Sequence, residues 1–209
     1  MSDRERRAHW EGIYQTKGER EVSWFQETPR LSLEFIQSAG VRLDAPIIDI
    51  GGGASRLVDA LLDAEFENIT VLDISEKALA KSKSRLGPQG ARVGWVVSDV
   101  TSWNPMEKYV VWHDRAAFHF LIDPNDRAAY LERLLCAVRP GGHVIIGTFA
   151  LDGPEKCSGL PVARYDAASL GAVFGHSFDL LENRADGHQT PMGAIQCFQF
   201  SYFRRLNES

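Results

Sequence analysis

The stretch IIDIGGGASRLVDALL sets an acid, Asp49, ahead of three consecutive glycines, Gly51, Gly52 and Gly53, with Ser55 just before an apolar helical pattern. Glycines between a strand and a helix let the backbone approach a ligand closely, and the helix start offers it free N–H groups. A tight turn needing positive φ is the plain alternative. Two further acids sharpen the reading. Asp73 stands 22 residues beyond Gly51 at the end of an apolar run, where a carboxylate can accept hydrogen bonds from both hydroxyls of a ribose. Asp99, followed by Val100, ends the next run. Either acid alone can be the cap of a following helix or turn; two at successive run ends after a glycine turn point to a bound nucleoside. A nicotinamide fingerprint is not met, because Arg56 holds the place of its third glycine, and no Gly-Lys-Ser/Thr follows to make a phosphate loop.

Such acids need strand ends to carry them. Continuous apolar runs at 45–50, 68–74, 93–99, 109–114 and 143–149 read as strands buried on both faces of a parallel sheet. Between them SRLVDALLDA, SEKALAKSKSRL and DRAAYLERLLCAV carry helical spacing, the last stopped by RPGG. This is a doubly wound α/β pattern whose ligands sit at the carboxyl ends of the strands. After residue 150 a long loop and a short helix, DAASLGAVFG, lead into two strands expected to close one edge as an antiparallel pair. Residues 1–40, with Trp10, Tyr14, Trp24 and Phe25 and a helix from Pro29 to Ala39, read as an N-terminal lid on a 41–209 domain.

Composition narrows the function classes. Of 209 residues, 44% are hydrophobic, enough for a sizeable core. A net charge of −5 leaves no broad cationic field for a nucleic acid. Cys136, Cys157 and Cys197 are scattered and odd in number, which fits a reducing, cytoplasmic setting rather than a disulfide framework. No apolar run approaches the roughly 20 residues of a membrane helix, and the charged start MSDRERRAHW reads as no signal peptide.

With these residues in place, the chain resembles the class I S-adenosylmethionine-dependent methyltransferases. DIGGGAS is similar to the family's first motif, with Ser55 at its last glycine as in the GCGNS form of some protein-lysine methyltransferases, and RPGGHVII resembles the turn before strand five. HWEGIY and SWFQ resemble segments of the eukaryotic lysine methyltransferases and of thiopurine methyltransferase, as HDRAAFHFL with DPNDRAAY resembles part of the latter.

The resemblance implies a Rossmann-like, seven-stranded, mostly parallel sheet with an antiparallel edge strand, and S-adenosyl-L-methionine as cofactor. It assigns the cofactor to Asp49, Gly51, Gly52, Gly53 and Ser55 of the turn, Asp73 and Ile74 at the ribose, Asp99 and Val100 at adenine, with His113 and Trp24 beside them. The same resemblance makes Asp114 and His119, after strand four, the catalytic candidates: Asp114 to orient a cationic or hydroxyl acceptor, and His119, or else His113, to take a proton. Their plain alternatives are a cap or ion pair for Asp114 and a satisfied helix-face histidine for His119. Cys157, Arg164, Tyr165 and His188 are expected to overhang the same pocket. Metal ligation is not expected, since His119 lies six positions after His113 and no third ligand is near. The expected acceptor is a small molecule, a thiol or other soft nucleophile; a protein lysine is the alternative, and a cofactor-binding protein without transfer the third reading.

Overall fold

The apolar runs become neighbouring strands in the computed structural model, which describes residues 1–207; the last two residues of the expected 41–209 unit lie outside the described residues. The chain runs α1 (Asp3–Thr16), α2 (Arg30–Ser38), β1 (Ile47–Ile50), α3 (Leu57–Asp63), β2 (Ile69–Asp73), α4 (Glu76–Leu86), β3 (Val93–Val97), β4 (Tyr109–Arg115), α5 (Pro124–Ala137) and β5 (Val138–Phe149). A small hairpin, β6 (Lys156–Cys157) and β7 (Leu160–Pro161), precedes α6 (Ala167–Phe174), β8 (Phe178–Gln189) and β9 (Ile195–Arg205). The sheet order is β3-β2-β1-β4-β5-β9-β8. The five strands from β1 to β5 run parallel, and β9 runs against β5 on one side and β8 on the other. This is the expected seven-stranded α/β fold, its antiparallel strand one place in from the outermost β8.

Parallel strands bury both faces, and two cores result. Phe35, Ile36, Ile47, Leu61 and Ile145 pack on one side of the sheet; Trp112, Tyr130, Leu134, Ile146 and Phe203 pack on the other. Phe35 and Ile36 belong to α2, so this helix of the N-terminal segment is built into the core, while α1 lies outside it.

Three local differences have physical causes. The third run is half-exposed rather than buried on both faces, because β3 is outermost in the sheet. The segment RPGG lies inside β5 rather than ending before it: Gly141 takes φ 76°, and the β4–β5 register shifts between Tyr109 and Val111 to absorb it. The unforeseen α1 starts with a reciprocal cap, in which the Ser2 hydroxyl accepts from the Glu5 N–H and the Glu5 carboxylate accepts from the Ser2 N–H.

Candidate active site

Strand register brings the acids to one place. Ile50 at the end of β1 pairs with Leu72 on β2 and Asp114 on β4, so the glycine turn, Asp73 and the end of β4 converge. They line a cavity of about 770 Å³, counting the open space at its mouth. Gly51, Asp73, Ile74, Asp99, Val100 and Trp24 all lie on its wall. Gly51 needs its positive φ of 66°, and a Cβ there would come 2.7 Å from the Ala117 side chain. Gly53 lies behind the wall, where a Cβ would sit 2.5 Å from Asp73 Oδ2.

Asp73 is buried, and burial without a cationic partner pushes its carboxyl up to about 7. One oxygen accepts from the Ser75 N–H at 2.7 Å. The Gly53 N–H also favours its ionised form, but burial outweighs both backbone donors, and further donors such as ribose hydroxyls would relieve that cost.

A smaller hollow adjoins the first and shares Tyr14, Trp24, Gly51 and Arg115 with it. Asp49, Gly52, Ser55 and His113 line it. Asp49 and His113 are register partners with side chains on one face, and His113 Nδ1 stands 2.7 Å from Asp49 Oδ1. His113 Nε2 meets the Ser32 hydroxyl of α2 at 2.9 Å. The other carboxylate oxygen, Asp49 Oδ2, is buried without a partner among the described residues, and a Cβ on Gly52 would come within 2.3 Å of it.

The two catalytic candidates do not reach either space, which corrects the expectation that they face the acceptor. Side chains alternate along β4, so His113 and Arg115 point to the α2 face and Asp114 to the α5 face. There Asp114 accepts from the N–H groups of Ala117 and Phe118 and from the Tyr130 hydroxyl at 2.8 Å. Burial lifts its carboxyl to about 6. His119 is buried between Phe120 and Phe149, its Nδ1 accepting from the Phe149 N–H at 3.4 Å, and burial lowers its pKa to about 3. Asp114 thus folds the turn after β4, and His119 is a neutral core side chain.

Arg115, which the sequence reading passed over, lines both spaces. One terminal nitrogen donates to the Trp24 carbonyl at 2.9 Å, and the guanidinium stacks 4.5 Å from the Phe198 ring centre. Its Nε and Nη2 are buried without a hydrogen-bond partner among the described residues. Burial lowers its pKa to about 10, so it stays cationic at neutral pH. The period-two alternation that turns Asp114 away would have exposed this residue as the candidate.

The aromatic wall is Trp10, Tyr14 and Trp24, with Phe120 at 5.0 Å from Trp10. Phe25 turns instead to the guanidinium groups of Arg20 and Arg56. Of the loop residues, only Cys157 reaches the main cavity, and burial raises its thiol pKa. Arg164 pairs with Glu155, Tyr165 packs in the α5-side core, and His188 Nε2 contacts the Ser23 carbonyl at 2.7 Å.

Comparison with known proteins agrees with this geometry. The family described as "Methyltransferase domain" matches residues 47–142, which run from β1 into β5. Over this stretch the chain is similar to a methyltransferase domain, in line with its resemblance to the class I S-adenosylmethionine-dependent enzymes. It is 28% identical over 102 residues to N-terminal Xaa-Pro-Lys N-methyltransferase 1 of Xenopus tropicalis, covering 47% of this chain and 45% of that one. The chain thus spans about half the length of that curated relative. Two solved structures share the fold. One, from work on conversion of a disulfide bond into a thioacetal group during echinomycin biosynthesis, has a TM-score of 0.75 at 17% identity, over 96% of this chain and 93% of that one. The other is the Burkholderia thailandensis 1,6-didemethyltoxoflavin-N1-methyltransferase with bound 1,6-didemethyltoxoflavin and S-adenosylhomocysteine, with a TM-score of 0.71 at 17% identity, over 99% and 92%.

The methyltransferase domain's cofactor suits the residues present. Asp73 on the cavity wall, the orphaned Asp49 Oδ2 and turn glycines that leave no room for a Cβ are the residues that would cradle it. Aromatic side chains wall the same cavity, an environment that favours a sulfonium cation losing its charge over one kept hydrated. No helix among the described residues is long and apolar enough to cross a membrane.

Proposed function

We propose that this methyltransferase methylates a small-molecule acceptor bearing a soft, ionisable nucleophile such as a thiol. The observation that carries the reading is Arg115, a cation with two donors unpartnered at the junction of the two spaces. The carboxylates on the main cavity wall, Asp73 and Asp99, are taken by the reading of the nucleoside. A buried guanidinium stabilises an anionic acceptor and raises the cost of an ammonium beside it.

The cofactor supplies a methyl group on a positively charged sulfur. In this reading Asp73 receives the ribose hydroxyls, Ile74 and Val100 flank the base beside Asp99, and the Gly51–Gly53 turn with Asp49, Ser55 and His113 borders the amino-acid end. Trp10, Tyr14, Trp24 and Phe120 exclude water. Arg115 holds the acceptor's charge and so fixes its attack line, which is most of what an in-line displacement requires at about 3 Å. A thiol, with an ordinary pKa of about 8.5, is partly ionised without a dedicated base; a lysine at about 10.4 is not. The second reading, methylation of a protein amine, draws on the N-terminal methyltransferase likeness.

Labelled S-adenosylmethionine incubated with thiols, carboxylates, amines and cell lysate separates the readings. Methylated small thiols support the first and methylated carboxylates alone contradict its soft nucleophile, while a labelled protein band supports the second and cofactor binding without product a non-catalytic role. Arg115→Met is expected to raise the acceptor KM by about tenfold or more while S-adenosylhomocysteine affinity stays within about twofold. An unchanged acceptor KM contradicts the anchoring role.

A further inference from the structure

Arg6 of α1 reaches the nucleoside cavity, and all five of its N–H directions are used. Nε donates to Asp99 Oδ2 at 2.7 Å; Nη1 donates to Asp126 Oδ2 at 2.8 Å and the Met1 carbonyl at 3.1 Å; Nη2 donates to Asp3 Oδ1 at 2.7 Å and Thr101 Oγ1 at 3.1 Å. The side chain is 12% exposed and that of Asp99 6%. One guanidinium thereby ties α1 to the end of β3 and to the first turn of α5.

Asp99 has little freedom left. Its Oδ1 already accepts from the Thr101 N–H at 2.9 Å and the Thr101 hydroxyl at 2.7 Å. A carboxylate oxygen takes about two donors, so the remaining acceptor direction is on Oδ2, the oxygen that Arg6 holds. At its other end α1 is fastened by Glu11, whose carboxylate accepts from the Glu76 N–H at 2.6 Å at the start of α4. The cavity is bridged by a helix pinned on both sides.

We propose that Arg6 is a positioning residue for the nucleobase: it aims the one acceptor direction left on Asp99 and, by the same contacts, latches α1 over the cavity. The inference rests on reading Asp99 as the acceptor for the adenine amino group. A base with a carbonyl in place of that amino group then loses a donor to Asp99 and is bound less tightly, and the preference depends on Arg6 although Arg6 meets Asp99 rather than the amino group.

The test compares binding of S-adenosylhomocysteine and S-inosylhomocysteine by calorimetry, with dissociation of the first followed by stopped flow. The unsubstituted protein is expected to favour the adenine form by about tenfold. Arg6→Ala is expected to narrow that ratio by about threefold or more and to speed dissociation about tenfold, with Arg6→Lys between the two. Asp126→Asn loosens Arg6 outside the cavity, leaves its bond to Asp99, and is expected to keep the ratio. An unchanged ratio in Arg6→Ala overturns the proposal, as does equal narrowing in Asp126→Asn. Absence of any preference in the unsubstituted protein sinks the reading of Asp99 and the proposal with it.

Discussion

Asp73 and Asp114 are buried acids raised by the same cause, yet they do different things. Asp73 faces a cavity and is met by the backbone N–H groups of Ser75 and Gly53, whereas Asp114 is saturated by the turn it folds and the Tyr130 hydroxyl. With its pKa raised to about 7, Asp73 holds a proton in the folded protein that an unfolded carboxyl, near 4, has released. Its contribution to stability is full below about pH 4 and is lost as pH rises through about 7. Cofactor hydroxyls favour the ionised form. Affinity for S-adenosylhomocysteine is therefore expected to fall about tenfold per pH unit below about pH 7, and Asp73→Asn to bind weakly with no such slope. Calorimetry across pH 5.5–8.5 checks this; a flat profile contradicts it. Asp114→Ala strands the Ala117 and Phe118 N–H groups and the Tyr130 hydroxyl, so denaturant unfolding should show a loss of about 2–4 kcal/mol. A near-neutral effect on stability with lost turnover would return Asp114 to the catalytic role expected of it from sequence.

At the scale of elements, the legible parts were those written in local pattern. The runs of β1, β2 and β4 and the glycine turn stand where Val, Ile and Gly spacing put them. Orientation was not legible in the same way: that Asp114 turns toward α5 follows from strand alternation combined with a Tyr130 that is 16 residues distant. The contact of Arg6 with Asp99 spans 93 residues and that of Arg115 with Trp24 spans 91, so no window of sequence displays them. The cap of α1, Ser2 with Glu5, is by contrast a local pattern whose two residues stand three positions apart. The glycine turn carries its own test. Gly51→Ala forces a residue with a Cβ into φ 66° and against Ala117, and should weaken cofactor binding by about tenfold or more while costing about 1–2 kcal/mol of stability. Titration and thermal melts of that variant measure both, and intact affinity would show that the turn does not touch the ligand.

Over the whole molecule, a rigid parallel sheet supplies the acids and a thin N-terminal layer supplies the cover. α2 is built into the core through Phe35 and Ile36, whereas α1 is held by polar ties from Arg6 and Glu11 and by the Trp10–Tyr14–Trp24 cluster. Arg115 lies where sheet and cover meet and lines both spaces. The most direct measurement of the account is calorimetric titration of the folded protein with S-adenosylhomocysteine, beside Asp73→Ala. One saturable site per chain, severely weakened in the variant, is the predicted result. No binding heat at any temperature tried, or equal affinity in the two proteins, would contradict the assignment of this cavity to the cofactor.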